Sequence, residues 1–183
     1  MRLQRILIAT STAIAVLSAP AVVRAQVVTA TGGEVNLGAE KGVVDGMIAG
    51  ESFEVELGTL AAGKSTNPAV KELASMLVTD HRTHLEAMRG MAPAPQGGGA
   101  APASDPSAAE DTKKLAQLRG LPADSTFDKA FVSVVVDSHQ RSIDNLKKWQ
   151  AAAKSPALKA DVDAALKVAE QHLARAQAVA QAK

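Results

Sequence analysis

Apolar side chains recur at helical spacing in four separate stretches of the chain. In the first, Met47, Phe53, Leu57, Leu60 and Ala61 share one face and predict a helix over about 43–64. The second stretch runs to about residue 91. Its stripe is Val70, Ala74, Leu77, His81, His84, Met88 and Met91, spaced alternately by four and three. Between the two lies "KSTNP", in which Asn67 suits a helix cap and Pro68 the first helical position. The third stripe is Val132, Val135, Val136, His139, Ile143 and Leu146, predicting a helix over about 126–154. The sequence "KSPALK" then repeats the earlier device, with Ser155 as cap and Pro156 as first residue. The fourth stripe follows with Leu158, Val162, Ala165, Leu166, Ala169, His172, Leu173, Ala176 and Val179.

A shift of 88 positions lays Pro68 on Pro156, Ala69 on Ala157, Lys71 on Lys159, His84 on His172 and Leu85 on Leu173. The pattern predicts two helical hairpins whose apolar stripes bury each other, an all-α, up-down four-helix bundle over 43–183. Residues 26–42 read as a polar, glycine-containing lead-in. The segment "APAPQGGGAAPASDPSA", at about 92–108, reads as a flexible linker, followed by a short amphipathic helix near 109–119.

The N-terminus has a different character. Arg2 and Arg5 precede an apolar run over 6–19, and Val23-Arg24-Ala25 places small residues where a signal peptidase reads, so residues 1–25 are expected to be a cleaved signal peptide. The run is shorter than the ~20 residues needed to span a bilayer, and no second run exists. A periplasmic or secreted protein without a transmembrane segment is expected, starting at Gln26. Loss of Arg2, Arg5 and Arg24 takes the net charge from +1 to −2. A mildly acidic chain without a basic block does not fit nucleic-acid binding. Cysteine is absent, so disulfides and thiolate metal sites are excluded; tyrosine is absent too. No Gly-x-Ser-x-Gly elbow appears, and no catalytic activity is expected.

The candidate chemistry lies in four histidines, all on the second, third and fourth predicted helices. An up-down bundle puts both hairpin turns, at Ser65–Asn67 and Ser155, at the same end, so Glu54, His81, His139 and His172 all fall roughly 15–24 Å from that end at ~1.5 Å per residue. Such a layer suits a divalent transition metal, iron, zinc or copper, because imidazole and carboxylate are good ligands for each. His84 and Asp80 are secondary candidates. Asp80 and Asp137 are one or two residues from a histidine, so they do not share its helical face and suit a supporting or surface role. Di-iron bundles carry Glu-x-x-His on two helices, but the residues three before His81, His139 and His172 are Val78, Val136 and Ala169. Buried histidines bonded to one another, to Glu54 or to water would serve packing equally well.

"FEVELGTLAAGKSTNPAVKELASMLVTDH" closely resembles the opening of a bacterial family designated domain of unknown function 4142, also called predicted outer-membrane proteins. "FDKAFVSVVVDSHQRSIDNLKKW" and "SPALKADVDAALKVAEQHL" resemble its later segments. The resemblance covers about residue 44 to the C-terminus. It implies an exported, ferritin-like bundle, with the family's characteristic positions on Glu54, Asp80, His81, His139 and His172. It implies no established reaction. The family has Asp-His on its third helix, whereas Asp137 and His139 are separated here by Ser138. Two readings follow: a non-catalytic envelope protein that binds a partner or a metal ion, and a ferritin-like metal-dependent oxidase or iron-handling protein.

Overall fold

The computed structural model describes residues 37–91 and 106–182. The expected signal peptide at 1–25, the lead-in up to 36 and the linker over 92–105 lie outside the described residues. Five helices and no strands are found among the described residues: α1 (Leu37–Lys64), α2 (Pro68–Met91), α3 (Pro106–Gly120), α4 (Ser125–Ala152) and α5 (Pro156–Gln181). The four long helices are those the stripes predict, and α3 is the predicted short helix extended at both ends. Asn67 Oδ1 accepts hydrogen bonds from Ala69 N and Val70 N at 2.9 and 3.4 Å, so α2 starts where Asn-Pro requires. Ser155 Oγ accepts from Leu158 N at 3.3 Å at the start of α5. Asp124 caps α4 by accepting from Thr126 N at 2.7 Å.

α1 begins at Leu37, so residues 37–42 of the expected lead-in are helical. The reason is Glu40, which is 2% exposed and lies against the α4–α5 turn. Its Oε1 accepts hydrogen bonds from Lys154 N and Ser155 N at 2.6 and 2.8 Å. Hydrophobic periodicity does not reveal this start, because the side chain that anchors it is a carboxylate.

α1 pairs with α2 and α4 with α5, and the two hairpins face each other through α1–α4 and α2–α5 contacts. The two turns lie at opposite ends of the bundle, which corrects the expectation that they share one end. Ser65, in the first turn, donates to Asp128 at the start of α4 at 2.6 Å, while the second turn holds Glu40 at the start of α1. The chain between α2 and α4 therefore has to return along the bundle. α3 lies on that return path, with Lys64 Nζ bonded to the Leu118 and Arg119 carbonyls at its C-terminal end.

Two apolar clusters fill the interior. One gathers Leu57, Leu73, Leu77, Phe127 and Phe131 near the first turn. The other gathers Val44, Met47, Met88, Ile143 and Leu158 near the second. The histidines lie between them. On the first-turn side, α1 and α2 approach closely at Gly58, where a Cβ would come within 2.8 Å of the Ala74 carbonyl and 2.9 Å of Val78 Cγ2. Gly58→Leu is expected to destabilise the fold by about 1–3 kcal/mol or more, because overpacking against backbone outweighs the ~1 kcal/mol gain in helix propensity. Chemical denaturation of both proteins measures the difference.

Candidate metal centre

His81 from α2, His139 from α4 and His172 from α5 meet in the interior, 8%, 1% and 2% exposed respectively. Each takes part in the stripe of its helix, and antiparallel packing brings the stripes to one level. Their rings are mutually edge-on, with centroids 5.0–5.5 Å apart. His172 Nδ1 lies 3.1 Å from His81 Nε2 and 3.2 Å from His139 Nε2. One nitrogen from each of the three lies within 4.8 Å of the others.

The outer nitrogen of each ring has its own acceptor. His81 Nδ1 is 2.7 Å from Glu51 Oε2, His139 Nδ1 is 2.9 Å from the Val135 carbonyl, and His172 Nε2 is 3.0 Å from Asp80 Oδ2. An acceptor there places the ring's N–H on the outer side. The inner nitrogens of neutral rings are then three lone pairs aimed at one another. In a low-dielectric interior such an arrangement needs a proton or a cation between the nitrogens. A tetrahedral ion with bonds of about 2.0–2.1 Å to nitrogen places neighbouring donors roughly 3.3 Å apart. The two spacings to His172 Nδ1, 3.1 and 3.2 Å, fit that requirement.

Electrostatics divide the three rings. Burial pushes His139 down to about 4, with Glu54 opposing only in part, so this imidazole is neutral at ordinary pH. Burial also works against charge on His81, but the Glu51 and Glu54 carboxylates outweigh it and raise its pKa. Without a cation, His81 carries the proton and donates through Nε2 to His172 Nδ1. The contact between His139 Nε2 and His172 Nδ1 remains two acceptors face to face.

Glu54 adds a second unsatisfied feature. It is 3% exposed, neither carboxylate oxygen accepts a hydrogen bond, and Oε1 lies 3.7 Å from His139 Nδ1. A buried carboxylate without partners is costly unless a positive charge sits close by.

The other candidates occupy different places. Asp80 meets the outer nitrogen of His172, a supporting position that points away from the inner nitrogens. His84 is bonded at both nitrogens, Nδ1 to Glu51 Oε1 at 2.7 Å and Nε2 to Asp161 Oδ2 at 3.1 Å. Burial opposes charge on His84, but the bonds to Asp161 and Glu51 raise it to about 10. Glu51, despite burial, is held down to about 2 by His81 and His84. Asp137 is exposed, and the buried neighbour of His139 is Ser138.

The largest surprise is that Glu51, not Glu54, is the hydrogen-bond partner of His81. Glu51 joins His81 and His84 through its two oxygens. The 88-residue repeat carries this meaning: it relates Glu51–His84 to His139–His172, and both contacts span 33 residues. Asp161 is a functional candidate that the sequence reading passed over. It lies eleven residues before His172, three helical turns on the same face of α5, and is 7% exposed. An acid at stripe spacing was the available signal.

A cavity of about 320 Å³ adjoins this cluster and reaches Glu54, His81 and His139. Its walls come from the four long helices and from Asp111 of α3. No described helix is long and apolar enough to cross a membrane.

No curated protein and no solved structure matches the chain. The profile of the family described as Domain of unknown function (DUF4142) matches residues 27–179, which takes in all of α1 and α2 and almost all of the second hairpin. The chain therefore belongs to the DUF4142 family.

Proposed function

We propose that His81, His139 and His172, with Glu54 beside them, hold a divalent transition-metal ion in an exported, periplasmic or secreted four-helix bundle. The observation that carries this reading is the convergence of three ring nitrogens, two of them 3.1 and 3.2 Å from His172 Nδ1 and all within 4.8 Å, while every outer nitrogen has an acceptor. A layer needed only for packing would turn the neutral His139 ring so that its Nε2 did not face the His172 Nδ1 acceptor. Neutral imidazoles with a carboxylate and no thiolate suit iron, zinc or copper. Glu51 and Asp80 orient His81 and His172, the supporting role such groups commonly have at metal sites. The protein's role is then to bind metal in the cell envelope, without catalysis of its own, alone or for a partner.

Untagged apo protein titrated with iron(II), zinc and copper(II) is expected to take up one ion per chain. His81→Leu is expected to lose that uptake while keeping its helical circular dichroism. Failure of the wild type to bind any of the three eliminates the metal reading. Binding should also weaken on acidification, since the metal must displace the proton that His81 otherwise holds.

One observation favours a second reading, a ferritin-like iron oxidase or iron-handling protein. The return connection between α2 and α4 is the single long crossover found in ferritin-like bundles. The missing Glu-x-x-His pairs speak against it. Sustained oxygen consumption on adding iron(II) in excess over protein would support this second reading over simple binding.

A further inference from the structure

The histidines are almost fully buried, so an ion has to reach them through the protein. The cavity beside them is lined by Glu51, Glu54, Asp80, Asp111 and Asp161. Besides histidines, the basic side chain lining it is Arg141, which is paired with Asp111 at 2.8 Å. Exposure falls along the walls: the Asp80 and His84 side chains are 19% and 18% exposed, Glu51 and His81 are 12% and 11%, and Glu54 and His139 are 4% and 1%. Hydrogen bonds from His84 to Glu51 and from Glu51 to His81 follow the same inward direction, while Asp161, 8% exposed, holds the other nitrogen of His84. At the far end of the series the Glu54 carboxylate waits without a hydrogen bond.

We infer that this cavity is the uptake route of the metal centre, and that it takes a small hydrated divalent cation rather than a metal carried in a bulky chelate. The inference rests on the metal reading above. Six coordinated waters occupy roughly 180 Å³ at about 30 Å³ each, which the cavity's 320 Å³ accommodates. Excess carboxylate on low-dielectric walls raises the local concentration of cations and speeds their arrival. The buried Glu54 and the inner nitrogens then replace the water shell.

The structure supplies a plug. Gly50 lines the cavity, and a Cβ built on it meets nothing within 4 Å. Gly50→Leu extends into the cavity and removes a helix-interior glycine, which favours folding by up to about 1 kcal/mol. Gly63, on the same helix, is exposed and has open space around it, but does not line the cavity. Gly63→Leu is the matched control.

The test is stopped-flow loading of the full chain with zinc sulfate, followed by competition with a fluorescent zinc indicator. Gly50→Leu is expected to slow loading on the order of tenfold while Gly63→Leu loads at the wild-type rate. Zinc release should slow by the same factor, so the affinity at equilibrium stays close to that of the wild type. The wild-type loading rate should also fall between about 20 and about 200 mM salt, as steering by the wall carboxylates requires. Full loading of Gly50→Leu at the wild-type rate overturns the route and leaves the metal centre standing. A loading rate indifferent to salt overturns the steering. No zinc uptake by the wild type overturns the metal centre itself, and the route with it.

Discussion

Zinc in about thousandfold excess over its dissociation constant is expected to raise the melting temperature of the apo protein by about 10 °C, and to leave His139→Leu where it was. A ligand that binds only the folded state at that excess contributes about 4 kcal/mol. For a chain of this size each kcal/mol moves the midpoint by about 2–4 °C. His139 is the informative position because its ring is held neutral by burial and its Nε2 faces another acceptor. Replacing it with leucine removes a buried lone pair and leaves the Val135 carbonyl bonded within its helix. The apo variant is therefore expected to match or exceed wild-type apo stability, since a buried polar group is exchanged for an apolar one of similar size. Equal melting temperatures with and without zinc in the wild type would show that the three nitrogens are only a packing layer. A metal response that survives in His139→Leu would move the centre elsewhere, to the Glu51–His84–Asp161 group.

Stability of the apo protein is expected to peak near pH 6.5 and to fall on both sides. His139 is depressed from 6.5 to about 4, so the unfolded chain binds its proton more readily than the folded one. Its contribution is complete above pH 6.5 and is lost as pH falls towards 4, on the order of 3 kcal/mol at about 1.4 kcal/mol per pH unit. Glu51, lowered from 4.5 to about 2, extends the acid limb: its contribution is present above pH 4.5 and is lost as pH falls through 2. His84 works in the other direction. Raised from 6.5 to about 10 by Asp161 and Glu51 against burial, it stabilises fully below pH 6.5 and ceases to do so as pH rises through 10. Urea denaturation at closely spaced pH values tests each limb separately. His139→Leu should flatten the curve between pH 6.5 and 4.5, and His84→Leu should flatten it above 6.5. If His139→Leu retains the wild-type slope between pH 6.5 and 4.5, the buried neutral imidazole is not the cause of acid sensitivity.

What could be read from the sequence alone was local or periodic. Asn67-Pro68 and Ser155-Pro156 mark helix starts because capping and proline geometry act within four residues. The stripes through Leu77, His81 and Met88, and through Val135, His139 and Ile143, place the histidines on buried faces because a helix repeats every 3.6 residues. Periodicity carries no information on which ends of two hairpins meet, and the two turns proved to lie at opposite ends. The level of the histidines survived that error because they lie near mid-helix, where counting from either end gives nearly the same depth. The start of α1 at Leu37 depended on Glu40 reaching backbone amides more than a hundred residues away, a contact no local rule contains. Only the tertiary structure decided that Glu51 holds His81, that Asp161 holds His84, and which nitrogen of each ring faces inward. Those choices depend on helix rotation and on separations of an ångström between residues far apart in the chain, and it is they that turn three buried histidines into three converging lone pairs.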